Sequence, residues 1–361
     1  MHNSHESAIG QSFYKIPRFS GRIVGIWPMY KRSWATNLIC AFSFFVILVG
    51  ACGENLYGIA NLDNLIRALE AFCPGSTKAV SVLKLSIFVI HHREWHELVE
   101  RLRVILYSSR SYEAQKTLVS KSTIANRLSL LLVSSGSITN TAFNIQPLIM
   151  GLYRWAYGIP GQVDLPFNII LPAFATMPSF FPLTYLLLTA SGACTVFTFS
   201  FVDGFFLCSC LYISGIFRVI QLDIRSIFFP LDELEIYTPS ENDQIRTQLV
   251  GIVERHNAII DLCTDITRQF TVIVLMHFLS AAFVLCSTIL DIMLSLAVAG
   301  TLYDIEWYKC DVATRKMILM ILRRSQRAKS IQVPFFTPSL PAFSSILSTT
   351  GSYIALLKTF L

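Results

Sequence analysis

The sequence predicts an all-α fold: a polytopic membrane helix bundle with a cytoplasmic N-terminus and six visible spans. Three observations carry that prediction. Only 14% of the 361 residues are charged and 53% are hydrophobic, whereas about a quarter of an ordinary soluble domain is charged. Mean hydropathy is +0.55. The apolar residues also fall into runs of about 20, the length a helix needs to cross a hydrocarbon core.

The spans follow in order. The first 33 residues are polar and carry Lys15, Arg18, Arg22, Lys31 and Arg32. No short apolar run with a small-residue cleavage site begins the chain, so the first apolar span serves as an uncleaved anchor. Residues 33–53 are free of charge and form that span. Residues 65–90 form the second, although Arg67, Glu70, Lys78 and Lys84 interrupt it. A polar-interrupted helix is tolerated where it faces a protein interior or a wet cavity. Residues 128–153 form the third. Pro166, Pro172, Pro178 and Pro182 punctuate the next uncharged stretch and place the fourth helix start near Pro182. Its apolar character continues to Phe217, too far for one span, so the helix is expected to project beyond the bilayer. Residues 269–290 form the fifth span and about 340–360 the last.

Lys and Arg accumulate on the cytoplasmic side of short loops. The segment before the first span holds five, and the loop 91–127 holds seven. This places the N-terminus inside, and with it a long helical segment at about 218–268. Residues 309–329, a second expected cytoplasmic helix, hold another seven. Five spans starting inside leave the chain outside at that point. A further span is needed after Leu290, yet residues 292–303 are too few at about 1.5 Å of rise each.

Other classes are excluded. The net charge of +6 is modest and forms no concentrated patch of the kind nucleic acid needs. Nine cysteines lack paired spacing, and the closest pair, Cys208 and Cys210, points apart on a helix. Buried packing is the reading for the cysteines. His91, His92 and His96 do not form His-Glu-x-x-His and read as solvated loop histidines. No phosphate loop or nucleophile elbow appears. We therefore expect no catalytic residues, no metal and no cofactor.

Several stretches, in order, resemble the insect odorant receptor family. Gly25-Ile-Trp-Pro28 resembles the motif before that family's first span. Leu171-Pro172 and the aromatic run to Tyr185 resemble the approach to its fourth, where Asp203 takes the place of a late acidic residue. Val253-Glu-Arg-His256 through Arg268 resembles the lead into the fifth, and Tyr303 and Trp307 follow. Arg323-Arg324-Ser325-Gln326 resembles the cytoplasmic helix before the last span, and Ser352-Tyr353 a pair within it. The family has seven spans. Residues 295–308 resemble the inner end of its sixth but here follow the fifth directly, so the chain looks shortened by one span near Leu294 and Ser295.

The resemblance implies one receptor domain over residues 1–361 and an odour-tuning subunit. Its partners would be a volatile small molecule, the lipid bilayer and a shared co-receptor in a hetero-tetramer, with no nucleic acid. The complex would be a non-selective cation channel in the dendritic plasma membrane of olfactory neurons. Tyr353, Leu356 and Phe360 are the implied pore and gate residues. An apolar pair four apart on a membrane helix equally marks a lipid-facing or packed surface. Thr139, Phe143, Asn144 and Gln146 in the third span, with Phe181 and Tyr185 in the fourth, are odorant-pocket candidates. Each is also of a type that packs helices together. Asp203 should find a cationic or hydrogen-bonding partner, or lie at the cytoplasmic boundary. A gustatory receptor of the same superfamily is a second reading, but Lys358-Thr359-Phe360 lacks the Gln expected there. A secondary transporter is a third, but no internal repeat supports it.

Overall fold

A computed structural model describes residues 13–29, 33–107, 112–159, 163–228, 238–304, 312–325 and 348. Eight α-helices run through them: α1 (Lys15–Val24), α2 (Trp34–Ala60), α3 (Leu65–Ile90), α4 (His92–Tyr107), α5 (Tyr112–Ala156), α6 (Phe181–Phe228), α7 (Pro239–Asp304) and α8 (Val312–Ser325). No strand occurs among the described residues.

Local chemistry sets several ends. Gly25 takes φ 79°, a left-handed turn that a side chain would strain, and its N–H returns to Arg22 and Gly21 to close α1. Ser33 and Thr36 exchange side-chain and backbone hydrogen bonds across the start of α2, a capping box. Asn64 caps α3 through the Arg67 N–H. Pro182 lies in the first turn of α6, where a missing N–H costs nothing.

Three described helices are long and apolar enough to cross a membrane: Trp34–Ala60, Arg67–Ile90 and Phe181–Phe228. Residues 128–153 lie inside the 45-residue α5, whose Ser, Thr and Asn side chains dilute its apolar character. Residues 269–290 lie inside the 66-residue α7. Apart from Ser348, residues 340–360 and the others after α8 lie outside the described residues. The segment read as 218–268 consists of the end of α6 and the start of α7, with 229–237 between them not described.

The core gathers buried residues from α1 through α7. Phe88 of α3 stacks on Trp95 of α4 at 4.2 Å and meets Phe201 of α6 edge-on at 4.9 Å. Trp95 also touches Phe270 of α7 at 5.1 Å. Just before α1, Phe13 packs on Tyr212 at 4.6 Å and Tyr14 on Phe205 at 5.1 Å. Tyr14 shares a 3.0 Å hydrogen bond with Ser209. Such pairs add about 0.5–1.5 kcal/mol each beyond the area they bury.

Three expectations are corrected. The stretch 91–127 is not a loop: it is α4 and the start of α5. Trp95, Leu98, Val99 and Leu102 are buried at helical spacing, so one face of α4 joins the core. The histidines sit on helices or caps rather than in a solvated loop. His91 Nδ1 meets Glu94 at 2.9 Å and His96 Nδ1 meets the Pro28 carbonyl at 3.2 Å. Nor are the cysteines uniformly buried. Of the seven described, Cys208 is buried while Cys52 and Cys210 are exposed.

Candidate functional site

A cavity of about 500 Å³ lies between α3, α5 and α6. The two longer helices are held close by Gly136, where a Cβ would stand 2.9 Å from Val196 Cγ1. Phe143 and Phe167 stack at 5.8 Å at one end of the cavity. Val196 and Phe199 line the α6 wall and Asp203 the other end. Thr139 and Thr195 also face the cavity, but each hydroxyl donates to its own helix, to Ser135 and Ser191 carbonyls at 3.0 and 2.8 Å. What they offer a guest is acceptor lone pairs.

The charged groups around this cavity are paired across helices. Lys78 of α3 donates to Glu54 of α2, and both are buried. Its ammonium also lies 3.6 Å from the centre of the Phe167 ring. Lys84, fully buried, donates to Asp203 at 2.8 Å and sits 3.6 Å from the Phe199 ring centre. His277 of α7 meets the same Asp203 oxygen at 3.0 Å. Asp203 thus has the partners its place in an apolar run requires, and it joins α3, α6 and α7. An uncompensated charge at this depth is expensive, so these pairs are conditions for the fold.

The sequence-derived pocket residues divide. Thr139 and Phe143 line the cavity. Asn144 instead binds α5 to α6: it accepts from Thr189 Oγ1 at 2.8 Å, and its carbonyl accepts from Tyr185. Gln146 is exposed, and Phe181 packs on Tyr185 at 6.0 Å. Asn144, Gln146, Phe181 and Tyr185 are not in the cavity wall. Tyr353, Leu356 and Phe360 lie outside the described residues. Sequence reading missed Lys78 and Phe167 as wall residues. Lys78 was visible as one of four charges interrupting a weak span, and that interruption is the signal that pointed to an interior role. No group of metal-ligating side chains occurs among the described residues.

A sequence model of the family described as 7tm Odorant receptor matches residues 64–296 and 292–351. The chain belongs to that family. It is a multi-pass membrane receptor and not an enzyme. Odorant receptor 22c of Drosophila melanogaster is 61% identical over 402 aligned positions, covering 100% of both chains. Odorant receptor 24a of the same species is 28% identical, covering 96% of each. The insect olfactory receptor OR5 from Machilis hrabei shares the fold, with a TM-score of 0.57, 15% identity and 98% of this chain and 97% of that one covered. The same receptor in complex with eugenol superposes with a TM-score of 0.53.

Two numbers bear on the length of this odorant receptor. The two family-matched segments overlap at residues 292–296. The alignment with odorant receptor 22c has 402 positions while this chain has 361 residues, so at least 41 aligned positions face no residue here.

Proposed function

We propose that this receptor is an odour-tuning subunit that binds a small volatile molecule in the α3–α5–α6 cavity. With the family's co-receptor it forms a hetero-tetrameric, non-selective cation channel in the dendritic plasma membrane of olfactory neurons. The observation that carries the reading is the cavity itself. Its volume suits a small ligand, its walls are mostly apolar, and its charges are already paired. A neutral guest therefore enters without stranding a charge. The complex of OR5 with eugenol supports the same class of guest. Binding gates only by favouring the open state through differential affinity. The gate we assign to Tyr353, Leu356 and Phe360 of the last span, closing by dewetting.

We infer further that the sixth span is absent. The overlap at 292–296 and the 41 extra aligned positions support this, since a span and its connections need about that many residues. The cavity-forming helices all precede the join, so binding survives while conduction fails. The test uses two forms: the chain as it stands, and the chain with the corresponding segment of odorant receptor 22c inserted at the join. Both are expected to be stabilised by the same odorants in a thermal-shift assay. Only the extended form, with the co-receptor, is expected to give odour-evoked current. Thr139→Phe should raise the half-maximal odorant concentration at least tenfold at unchanged surface level. An unchanged response to that variant sinks the cavity assignment. Equal currents from both forms sink the missing span, and substrate uptake without current would favour a transporter.

A further inference from the structure

Most polar groups on the wall of the α3–α5–α6 cavity have nothing to donate to a guest. Thr77 donates to the Cys73 carbonyl at 3.0 Å and Ser135 to that of Leu132 at 3.1 Å, as Thr139 and Thr195 do to theirs. Lys78 donates to Glu54, and with its ammonium against the Phe167 ring only 3% of its side chain is exposed. The Asn140 amide of α5 and the Ser200 hydroxyl of α6 differ. Both line the cavity, and among the described residues neither has a hydrogen-bond partner.

Asn140 stands at the Phe143–Phe167 end. A Cβ at Gly192 would run into Asn140 Oδ1 and stand 3.5 Å from Phe167 Cζ. The amide, the Phe167 ring and the bare backbone of α6 therefore meet at one point. Phe143 follows three residues on, on the same face of α5. With its oxygen lodged against α6, the amide leaves its two N–H groups for the cavity. Asn144, one turn later, makes the contrast. Its Nδ2 donates to the Asn140 carbonyl at 2.7 Å and its Oδ1 accepts from Thr189 at 2.8 Å. That side chain ties α5 to α6, whereas the half-buried Asn140 amide adds no hydrogen bond to the fold. A polar group withdrawn from water without a partner is costly, and a guest that accepts from it removes the cost.

We propose that Asn140 sets the functional group of the guest: a volatile ketone or ester whose carbonyl oxygen accepts from the Asn140 amide while its alkyl part lies against Phe143, Phe167 and Val196. A hydrocarbon of the same shape leaves the amide unpaired. Sites built around such a donor reject the analogue lacking the acceptor far more strongly than apolar walls reject a missing methylene. Gly192 is the positioning residue, since its missing Cβ makes room for the amide. Ser200 lies eight residues further along α6, about 12 Å along the axis, and serves the other end of the cavity. The proposal rests on the odorant-binding reading of this cavity.

Thermal unfolding of the full chain in detergent is followed during titration with 2-heptanone, 2-octanone and 2-nonanone. The matching 2-methyl-1-alkenes, which carry a methylene group in place of the carbonyl oxygen, are run in parallel. Comparing variants compound by compound cancels partition into detergent. The half-stabilising concentrations of the ketones should rise at least tenfold in Asn140→Leu, while those of the alkenes stay level or fall. Gly192→Ala, which pushes the amide aside, should weaken the ketones in the same selective way. Ketones unaffected by Asn140→Leu, ketones and alkenes weakened alike, or a loss confined to Ser200→Ala overturns the proposal and leaves the cavity reading standing. Stabilisation by neither series also overturns it, and the Thr139→Phe response then decides the cavity reading separately. If Asn140→Leu does not fold, the infrared carbonyl stretch of isotope-labelled 2-heptanone bound to the unmodified chain is measured. It should lie below its value in hexane, and an unshifted band overturns the proposal.

Discussion

The ion-pair node at Asp203 makes an asymmetric prediction. Lys84 is fully buried, and among the described residues its carboxylate partner is Asp203 at 2.8 Å. Asp203 has two partners, Lys84 and His277, and its side chain is 31% exposed. Asp203→Asn therefore strands a buried ammonium against the Phe199 ring, while Lys84→Met leaves a carboxylate with His277 and some access to the cavity. Breaking a buried pair by removing one partner costs about 3–5 kcal/mol, because the other charge is left uncompensated. Asp203→Asn should sit at the upper end of that range, and Lys84→Met lower, at about 1.5–3 kcal/mol, the scale of a hydrogen bond to a charged group. The double variant Lys84→Met/Asp203→Leu should be less damaging than Asp203→Asn alone. At about 2 °C per kcal/mol, the Asp203→Asn loss is toward the upper end of about 6–10 °C. Thermal unfolding of fluorescently tagged variants, followed by size-exclusion chromatography, reads these shifts. A Lys84→Met loss equal to that of Asp203→Asn, or additive losses in the double variant, would refute the reasoning.

Three other outcomes are expected. Gly136→Ala forces a Cβ to within 2.9 Å of Val196 Cγ1 and should cost about 1–3 kcal/mol by the same thermal assay; an unchanged melting temperature would show that α5 and α6 part freely there. Tyr14→Phe removes a 3.0 Å bond to Ser209 in a site where burial pushes the phenol up, and should cost about 1 kcal/mol. At the start of α7, the Thr238 N–H and hydroxyl both donate to Glu241 at 2.7 Å, which holds that carboxyl below its usual value of 4.5. A depressed carboxyl stabilises above its unfolded value and loses that stabilisation as pH falls through the folded one. Amide exchange at 239–245 should thus be protected down to about pH 5 and lose protection below 4.5. Thr238→Ala should speed that exchange several-fold at neutral pH. Pulsed hydrogen exchange checks both, and a flat profile to pH 3 would discount the cap.

Most of the membrane architecture was legible because hydropathy runs record which residues leave water. The start of α6 at Pro182 and the limits of α3 follow from local rules of this kind. Cross-helix partners do not. Lys78 and Lys84 weaken α3 when read along the chain, yet their carboxylates lie 24 residues before and 119 after them. Only packing shows that the charges support the span they interrupt. Helix α4 was missed for a different reason. Its apolar residues Trp95, Leu98, Val99 and Leu102 keep helical spacing, but their basic neighbours drew the segment into a count of loop charge. Asn144 and Tyr185 were picked as polar and aromatic groups in the right region. Sequence does not say whether such a group turns toward a cavity or toward the next helix, and here the Asn144 amide turns to Thr189 of α6 while the Tyr185 hydroxyl donates to the Asn144 backbone carbonyl.

Helix α6 has one further consequence. It runs 48 residues from Phe181 to Phe228 with no proline beyond its first turn, about 72 Å of unbroken rod. Its outer part forms a wall beside Val196, and its inner part is clasped by the rings of Phe13, Tyr14, Trp95 and Phe270. Such a rod has no joint to absorb a push. A guest that wedges against Val196 must either be accommodated by α5 or tilt the rod about its clasp, so the aromatic grip sets the pivot and the distance from it to the cavity sets the leverage.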